Sequence, residues 1–328
     1  MSGLDEFSLI ERLFVPLSLS HPGALRLSDD AALIDGPVGT EWAITTDALV
    51  AGVHFLPDDP PDLIARKLLR VNLSDLAAMG ATPFAVLLAT CFPGDVDAGW
   101  LDAFAGGLRQ DCSAFGVAVI GGDTVATPGP LTLSVTAIGS VPKGGALLRS
   151  AARPGDEIWV SGTIGDAAFG LLVARGRASG LSPVAADGLL GRYRLPTPRC
   201  ALGPALRGLA HAAMDVSDGL IGDLGHICET SHVGAVVEAA DVPLSAAAEE
   251  AMALGLGGID LALTGGDDYE LLFTAPASAA GHLAEIGRRL DLRLTKIGRI
   301  IEDRGVTAVD AAGRSLPLGG GGYRHFGG

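Results

Sequence analysis

The sequence predicts an α+β protein of two domains, with a mixed or antiparallel sheet in the N-terminal domain and an α+β sandwich in the C-terminal one. Three observations support this. The 328 residues exceed one ordinary core and suit two domains of about 150 residues each. Hydrophobic residues make up 48% and charged residues 19%, a globular and not a disordered composition. Short strand-like runs also mix with stripes of helical spacing on both sides of a segment rich in Gly, Pro and Arg, residues 142–155. The boundary is expected there, dividing the chain into 1–142 and 143–328.

Leu9, Ile10, Leu13 and Phe14 have helical spacing and predict a first helix over 6–14. Residues 31–34 and 42–49 read as strands, separated by the turn chemistry of Asp35-Gly36-Pro37. A helix over 61–79 opens at Pro60-Pro61-Asp62, lines one face with Ile64, Leu68 and Val71, and ends at Gly80. Residues 84–90 are a buried-strand candidate. Leu101, Phe104, Ala105, Leu108, Cys112 and Phe115 give a second helical stripe. Residues 117–120 read as a strand running into Gly121-Gly122-Asp123-Thr124. Leu131, Leu133, Val135 and Ala137 alternate as a half-buried strand does, which suggests antiparallel pairing. In the second domain, strands are expected at 157–161, 234–238, 269–275 and 295–301, and helices at 166–175, 219–230 and 279–290. The glycine-rich tail, 319–328, carries Tyr323, His325 and Phe326, which is too aromatic for a free end.

A net charge of −15 repels phosphate backbones and argues against nucleic-acid binding. Cys91, Cys112, Cys200 and Cys228 show neither C-x-x-C pairing nor zinc-ligand spacing, so they read as core residues in a reducing compartment. Residues 1–14 lack the pattern of a secretory leader. The longest apolar run, 84–92, is about half of what a bilayer span needs. A cytoplasmic protein with no membrane partner is expected.

The informative pattern is aspartate beside Gly, Ser or Thr, recurring at expected strand ends and helix starts. It appears in Ser28-Asp29-Asp30, Thr45-Thr46-Asp47, Asn72-Leu73-Ser74-Asp75, Gly122-Asp123-Thr124, Asp215-Val216-Ser217-Asp218 and Gly265-Gly266-Asp267-Asp268. Singly, each reads as a helix cap or an Asx-turn. Together they suggest carboxylates converging on hard divalent cations, beside small residues that let backbone approach phosphate. Asp75 shares a helix face with Asn72 and with the apolar stripe, so its carboxylate needs a partner: a metal, or Lys67 or Arg70. No P-loop, dinucleotide fingerprint or protein-kinase motif is present. Ser161-Gly162-Thr163-Ile164-Gly165-Asp166 reads either as a weak phosphate loop or as a tight turn at a helix start.

In this order and spacing, the motifs resemble the thiamine-monophosphate kinase family, whose superfamily includes aminoimidazole ribonucleotide synthetase and selenophosphate synthetase. The resemblance runs from Glu6-Phe7-Ser8-Leu9-Ile10 through Gly52-Val53-His54-Phe55, Val71-Asn72-Leu73-Ser74-Asp75-Leu76-Ala77-Ala78-Met79-Gly80-Ala81 and Asp215-Val216-Ser217-Asp218-Gly219-Leu220 to Gly322-Tyr323-Arg324-His325-Phe326. It implies transfer of a phosphoryl group from ATP to thiamine monophosphate with several Mg²⁺ ions, in a homodimer paired through the N-terminal domains. It further implies metal ligands at Asp30, Thr45, Thr46, Asp47, Asp75, Asp123, Asp215 and Asp218. ATP contacts are implied at Gly122, Asp123, Arg149 and Ser217, and acceptor contacts at His54, Asp267 and Tyr323. No catalytic base is implied, because a phosphate monoester with a second pKa near 6 is already largely ionised at neutral pH. Two departures stand out. Ala51 replaces a frequent Glu, and Gly265-Gly266-Asp267-Asp268 replaces the commoner G-G-E-D, which leaves the carboxylate of Asp267 one methylene short. The rivals are another ATP-dependent synthetase of the superfamily and a non-catalytic nucleotide-binding regulator. A selenide enzyme would carry a reactive Cys near its N-terminus, whereas the first Cys here is Cys91.

Overall fold

The computed structural model describes residues 25–318 apart from 27 and 37. The helix expected over 6–14 and the tail with Tyr323 lie outside the described residues. The first half builds a five-stranded sheet from β1 (Ala32–Asp35), β2 (Thr40–Val50), β3 (Thr82–Pro93), β4 (Ala118–Thr127) and β5 (Thr132–Pro142), in the order β1-β2-β5-β3-β4. Helix α1 (Pro61–Ala78) packs on this sheet and on helix α2 (Ala98–Phe115). The sheet is mixed: β5 pairs antiparallel with β2 and β3, as its alternation suggests, while β3 and β4 run parallel. Their connection is α2, and a helical crossover returns the chain in the same direction.

Strand β4 continues through Gly121-Gly122-Asp123-Thr124 to Thr127, where the sequence suggests a strand end at 120. Gly122 is there for packing. Its φ is 152°, and a Cβ would stand 1.8 Å from the Leu88 carbonyl oxygen on β3. That approach is closer than any side chain allows.

The second half forms a six-stranded sheet. Its strands are β6 (Glu157–Ser161), β7 (Ala212–Asp215), β8 (Gly234–Glu238), β9 (Leu271–Ala275), β10 (Leu294–Ile301) and β11 (Gly305–Val309), in the order β11-β8-β10-β6-β9-β7. Its helices are α3 (Asp166–Ala174), α4 (Pro183–Arg194), α5 (Leu202–Leu206), α6 (Leu220–Ser231), α7 (Ala246–Ala253), α8 (Ile259–Thr264) and α9 (Ala280–Leu290). The architecture is therefore α+β in both halves, with a mixed sheet in each.

Helix α1 lies between the halves. Ile64, Leu68 and Val71 join the core under the first sheet, while Ala77 and Ala78 pack with Leu202, Leu206, Leu271 and Phe273 of the second half. The single buried face read from the sequence is thus incomplete. Lys67, Arg70, Asn72 and Ser74 are buried as well. No helix among the described residues is long and apolar enough to cross a membrane.

Candidate functional site

Four segments bring oxygen ligands to the seam beside α1. Strand β2 presents Thr45 and Asp47, two residues apart and so on one face of the sheet. Helix α1 presents Asp75, the end of β7 presents Asp215, and the segment before β1 presents Asp30. Carboxylate oxygens of Asp30, Asp75 and Asp215 lie within 4.8 Å of one another. The Thr45 hydroxyl donates to Asp75 Oδ2 at 2.7 Å. The Asp47 N–H donates to Asn72 Oδ1 at 3.0 Å, and Asn72 Nδ2 donates to the Leu68 carbonyl at 2.9 Å. The polar stripe of α1 thereby sets the position of β2.

This concentration of acid carries an electrostatic cost. Burial, then the charges of Asp47, Asp215 and Asp30, hold Asp75 well above the usual carboxylate range. Burial and Asp30 push Asp215 up to about 8. Burial and Asp30 also raise Asp29, to about 7. Asp215 Oδ2 is buried and finds no hydrogen-bond partner among the described residues. A buried carboxylate oxygen so placed, with only the Ser74 hydroxyl near the carboxyl, is a candidate cation donor. The donor set is entirely hard oxygen, with no His or Cys, and suits Mg²⁺.

The two cations considered as alternative partners for Asp75 are engaged elsewhere. Arg70 and Arg66 both bind the buried carboxylate of Asp111 on α2, and Arg70 Nη1 also donates to the Pro196 carbonyl at 2.8 Å. Lys67 binds Asp267. Arg149 does reach the cluster. It sits in a short 3₁₀ turn, Arg149–Ala151, and grips both oxygens of Asp30, with Nε 2.9 Å from Oδ2.

The segment Ser217-Asp218-Gly219 passes from β7 into α6. Its three consecutive N–H groups all donate to one oxygen, Asp223 Oδ2, at 3.0, 3.1 and 3.1 Å. Asp223 therefore fixes the backbone that carries Ser217 and Asp218. Burial and then the charge of Asp218 raise its pKa well above the ordinary value.

A second constellation lies further toward the N-terminus of α1. Lys67 is 2% exposed, and its ammonium donates to the His54 carbonyl at 3.1 Å and to Asp267 Oδ2 at 3.0 Å. It also lies 4.3 Å from the ring centroid of Tyr193. His54 Nδ1 accepts from the Val50 N–H at 3.0 Å, which places the proton of a neutral ring on Nε2. Asp267 has φ 73°, in the left-handed region, and its N–H donates to the Ser217 carbonyl at 2.7 Å. Gly266 makes this possible, because a Cβ there would stand 2.1 Å from the same carbonyl oxygen.

The fold thus gathers Asp30, Thr45, Asp47, Asp75, Asp215 and Arg149 at one seam, and the loop bearing Ser217 and Asp218 leads directly from Asp215. His54 and Asp267 meet through Lys67. Three expected positions are not brought to the seam. The Thr46 hydroxyl points to the opposite face of the sheet, toward the Val135 carbonyl and Thr136. Gly122 and Asp123 lie on β4, three strand spacings from β2, or roughly 14 Å. The Ser161–Asp166 segment is a structural turn. The Gly165 N–H and that of Ala167 just beyond it donate to Asp268 at 2.6 and 3.1 Å, and the Gly162 and Ile164 N–H groups donate to the Arg293 and Pro243 carbonyls, so these four are engaged within the protein. Asp223 and Lys67 were not singled out as site residues. Asp223 had a legible signal, an acid in the first turn of a helix entered through Ser-Asp-Gly. Lys67 had none, because a partner 200 residues away is invisible to local pattern.

Comparison with known proteins agrees with this architecture. Two family models match, "AIR synthase related protein, N-terminal domain" over residues 28–141 and "AIR synthase related protein, C-terminal domain" over 153–311. Fold and site define an AIR synthase related protein. Within that group, the chain belongs to the thiamine-monophosphate kinase family. It is 44% identical over 326 residues to the thiamine-monophosphate kinase of Escherichia coli K12, covering 98% of both chains. It is 43% identical over 308 residues to that of Caulobacter vibrioides, covering 92% of this chain and 86% of the relative. A solved structure described as AaThiL complexed with AMPPCP and TMP superposes with a TM-score of 0.85 at 30% identity, covering 98% of this chain and 97% of that one. The thiamine-monophosphate kinase of Stenotrophomonas maltophilia K279a superposes with a TM-score of 0.77 at 42% identity, covering 95% and 98%.

Proposed function

We propose that this enzyme transfers the terminal phosphoryl group of ATP directly to the phosphate of thiamine monophosphate, yielding ADP and thiamine diphosphate. The observation that carries the reading is the triad of Asp30 and Asp215, both buried, with the half-buried Asp75, and an oxygen of Asp215 that finds no hydrogen-bond partner among the described residues. Family membership supplies the substrates, and a relative that binds AMPPCP, an ATP analogue, together with TMP supports the pairing.

Asp30, Asp47, Asp75 and Asp215, with Thr45, would hold Mg²⁺, and Asp218 stands on the adjoining loop. Bound there, the metal would neutralise the triphosphate and the charge that develops during transfer. Arg149 offers a guanidinium to phosphate oxygens from the same seam. His54 and Asp267 orient the acceptor. The acceptor needs no strong base, which fits a site without a nucleophile–base pair. Lys67 and Asp75 are eight residues apart on α1, so the acceptor end and the metal end lie about 12 Å apart along one rigid element.

We assign residues 1–142 to the ATP, metal and dimerisation domain and 143–328 to the second domain. Pairing of two copies through the first sheet is supported by the exposure of Phe84 (56%), Ile120 (58%) and Val119 (44%) on adjacent strands β3 and β4. Four free cysteines suit a cytoplasmic setting. The test is ADP release with Mg²⁺ and ATP, with and without thiamine monophosphate. Release dependent on the acceptor, with thiamine diphosphate formed in equal amount, is expected. Equal release in both cases would overturn the assignment.

A further inference from the structure

We propose that Lys67 is a positioning residue for the acceptor, the cation that locks the His54 turn and the Asp267 loop into one binding wall. The inference rests on the proposed function, since it concerns the same acceptor site. Lys67 is the largest side chain buried to this degree among the described residues, and a buried ammonium persists only where every N–H direction is used. Here the ammonium donates to the His54 carbonyl and to Asp267 Oδ2, and it sits over the face of the Tyr193 ring. The first partner comes from the first half of the chain and the other two from the second. One ammonium therefore ties together two acceptor-contact residues that no backbone hydrogen bond joins.

The consequences fall on Asp267. Its side chain remains 30% exposed while Oδ2 is held by Lys67, so the carboxylate is fixed in direction yet still reaches solvent. Its left-handed backbone is a conformation that non-glycine residues rarely keep without restraint. The N–H bond to Ser217 restrains the main chain, and Lys67 restrains the side chain. Lys67 also accounts for how a carboxylate as short as that of Asp267 is held in place. The shorter carboxylate is held by a cation from below, so its position does not depend on the reach of a longer chain. Nucleotide and metal binding use the Asp75 end of α1 and do not pass through this contact.

The test is calorimetric titration of thiamine monophosphate, and separately of AMPPCP, each in excess Mg²⁺, into the wild-type enzyme and Lys67→Met. Loss of a buried charge-assisted bond predicts a rise of about tenfold or more in the Kd for thiamine monophosphate, with that for AMPPCP unchanged. The KM for thiamine monophosphate should rise accordingly, with kcat changed less. The double variant Lys67→Met/Asp267→Asn should be no weaker than either single one, because the two residues act as a unit. Should Lys67→Met fail to fold, Lys67→Gln is read by the same criteria. Unchanged affinity for thiamine monophosphate, or equal losses for both ligands, would overturn the positioning role. Failure of the wild-type enzyme to bind thiamine monophosphate would instead overturn the proposed function, and this inference with it.

Discussion

Replacing Asp215 by Asn should stabilise the metal-free protein and weaken the metal-bound one. The sign follows from linkage. Asp215 is held at about 8 in the folded chain against an ordinary value of 3.8, chiefly by burial and by Asp30. Below the ordinary value both states are protonated and folding carries no cost from this group. As pH rises toward the folded value, the unfolded chain ionises first, so stability falls by about 1.4 kcal/mol per pH unit. At pH 7 the cost is on the order of 4 kcal/mol. Asparagine does not titrate and removes it. In EDTA, thermal unfolding of Asp215→Asn should therefore occur several degrees above wild type at pH 7, with the gap closing toward pH 4. In excess Mg²⁺ the order should reverse, because only the carboxylate gains from the cation. A variant that in EDTA is no more stable than wild type at pH 7, or whose advantage does not change with pH, would refute the reasoning.

Three further outcomes follow from the same contacts. Asp111→Ala leaves Arg70 with no carboxylate partner in a buried setting and should cost roughly 3–5 kcal/mol in urea unfolding. Asp223→Ala removes the acceptor shared by three N–H groups and should weaken Mg²⁺ and AMPPCP binding by about 10- to 100-fold in calorimetry, while Asp223→Asn, which keeps an acceptor oxygen, should lose less. Gly122→Ala would set a Cβ against the Leu88 carbonyl in a backbone region that alanine avoids, so soluble yield and melting temperature should both fall.

Much of the first sheet was legible because its strands alternate and its helices carry apolar stripes. The strands at Thr40–Val50 and Thr82–Pro93 and the helix at Ala98–Phe115 all fall where the pattern puts them. In the second half the elements that escaped notice are short or lack period. Strand β7 is four residues, Ala-Ala-Met-Asp, buried on every side, so no alternation marks it. Helix α4 carries Gly188 and Gly191, which dilute its helical signal. β11 and helices α5, α7 and α8 are likewise short and were not expected.

The site was legible in its residue types and less so in its geometry. Aspartates beside small residues mark Asp30, Asp75 and Asp215, which do converge. The same pattern at Gly122-Asp123 marks a glycine needed for close strand packing, on a strand far from the seam. At Asp268 it marks a residue that caps a neighbouring helix. Sequence pattern reports the side chain and its neighbours, whereas which acid meets which depends on a helix lying between two sheets. Lys67 illustrates the limit, because its hydrogen-bond partners come from separate halves of the chain.

The claim on which the account depends is that these acids bind divalent cations where phosphates meet. Anomalous diffraction from crystals grown with Mn²⁺ and AMPPCP tests it most directly. The account predicts a peak within about 2.2 Å of oxygens from at least two of Asp30, Asp75 and Asp215, in contact with the triphosphate. Bound nucleotide with no metal beside those three residues would contradict it.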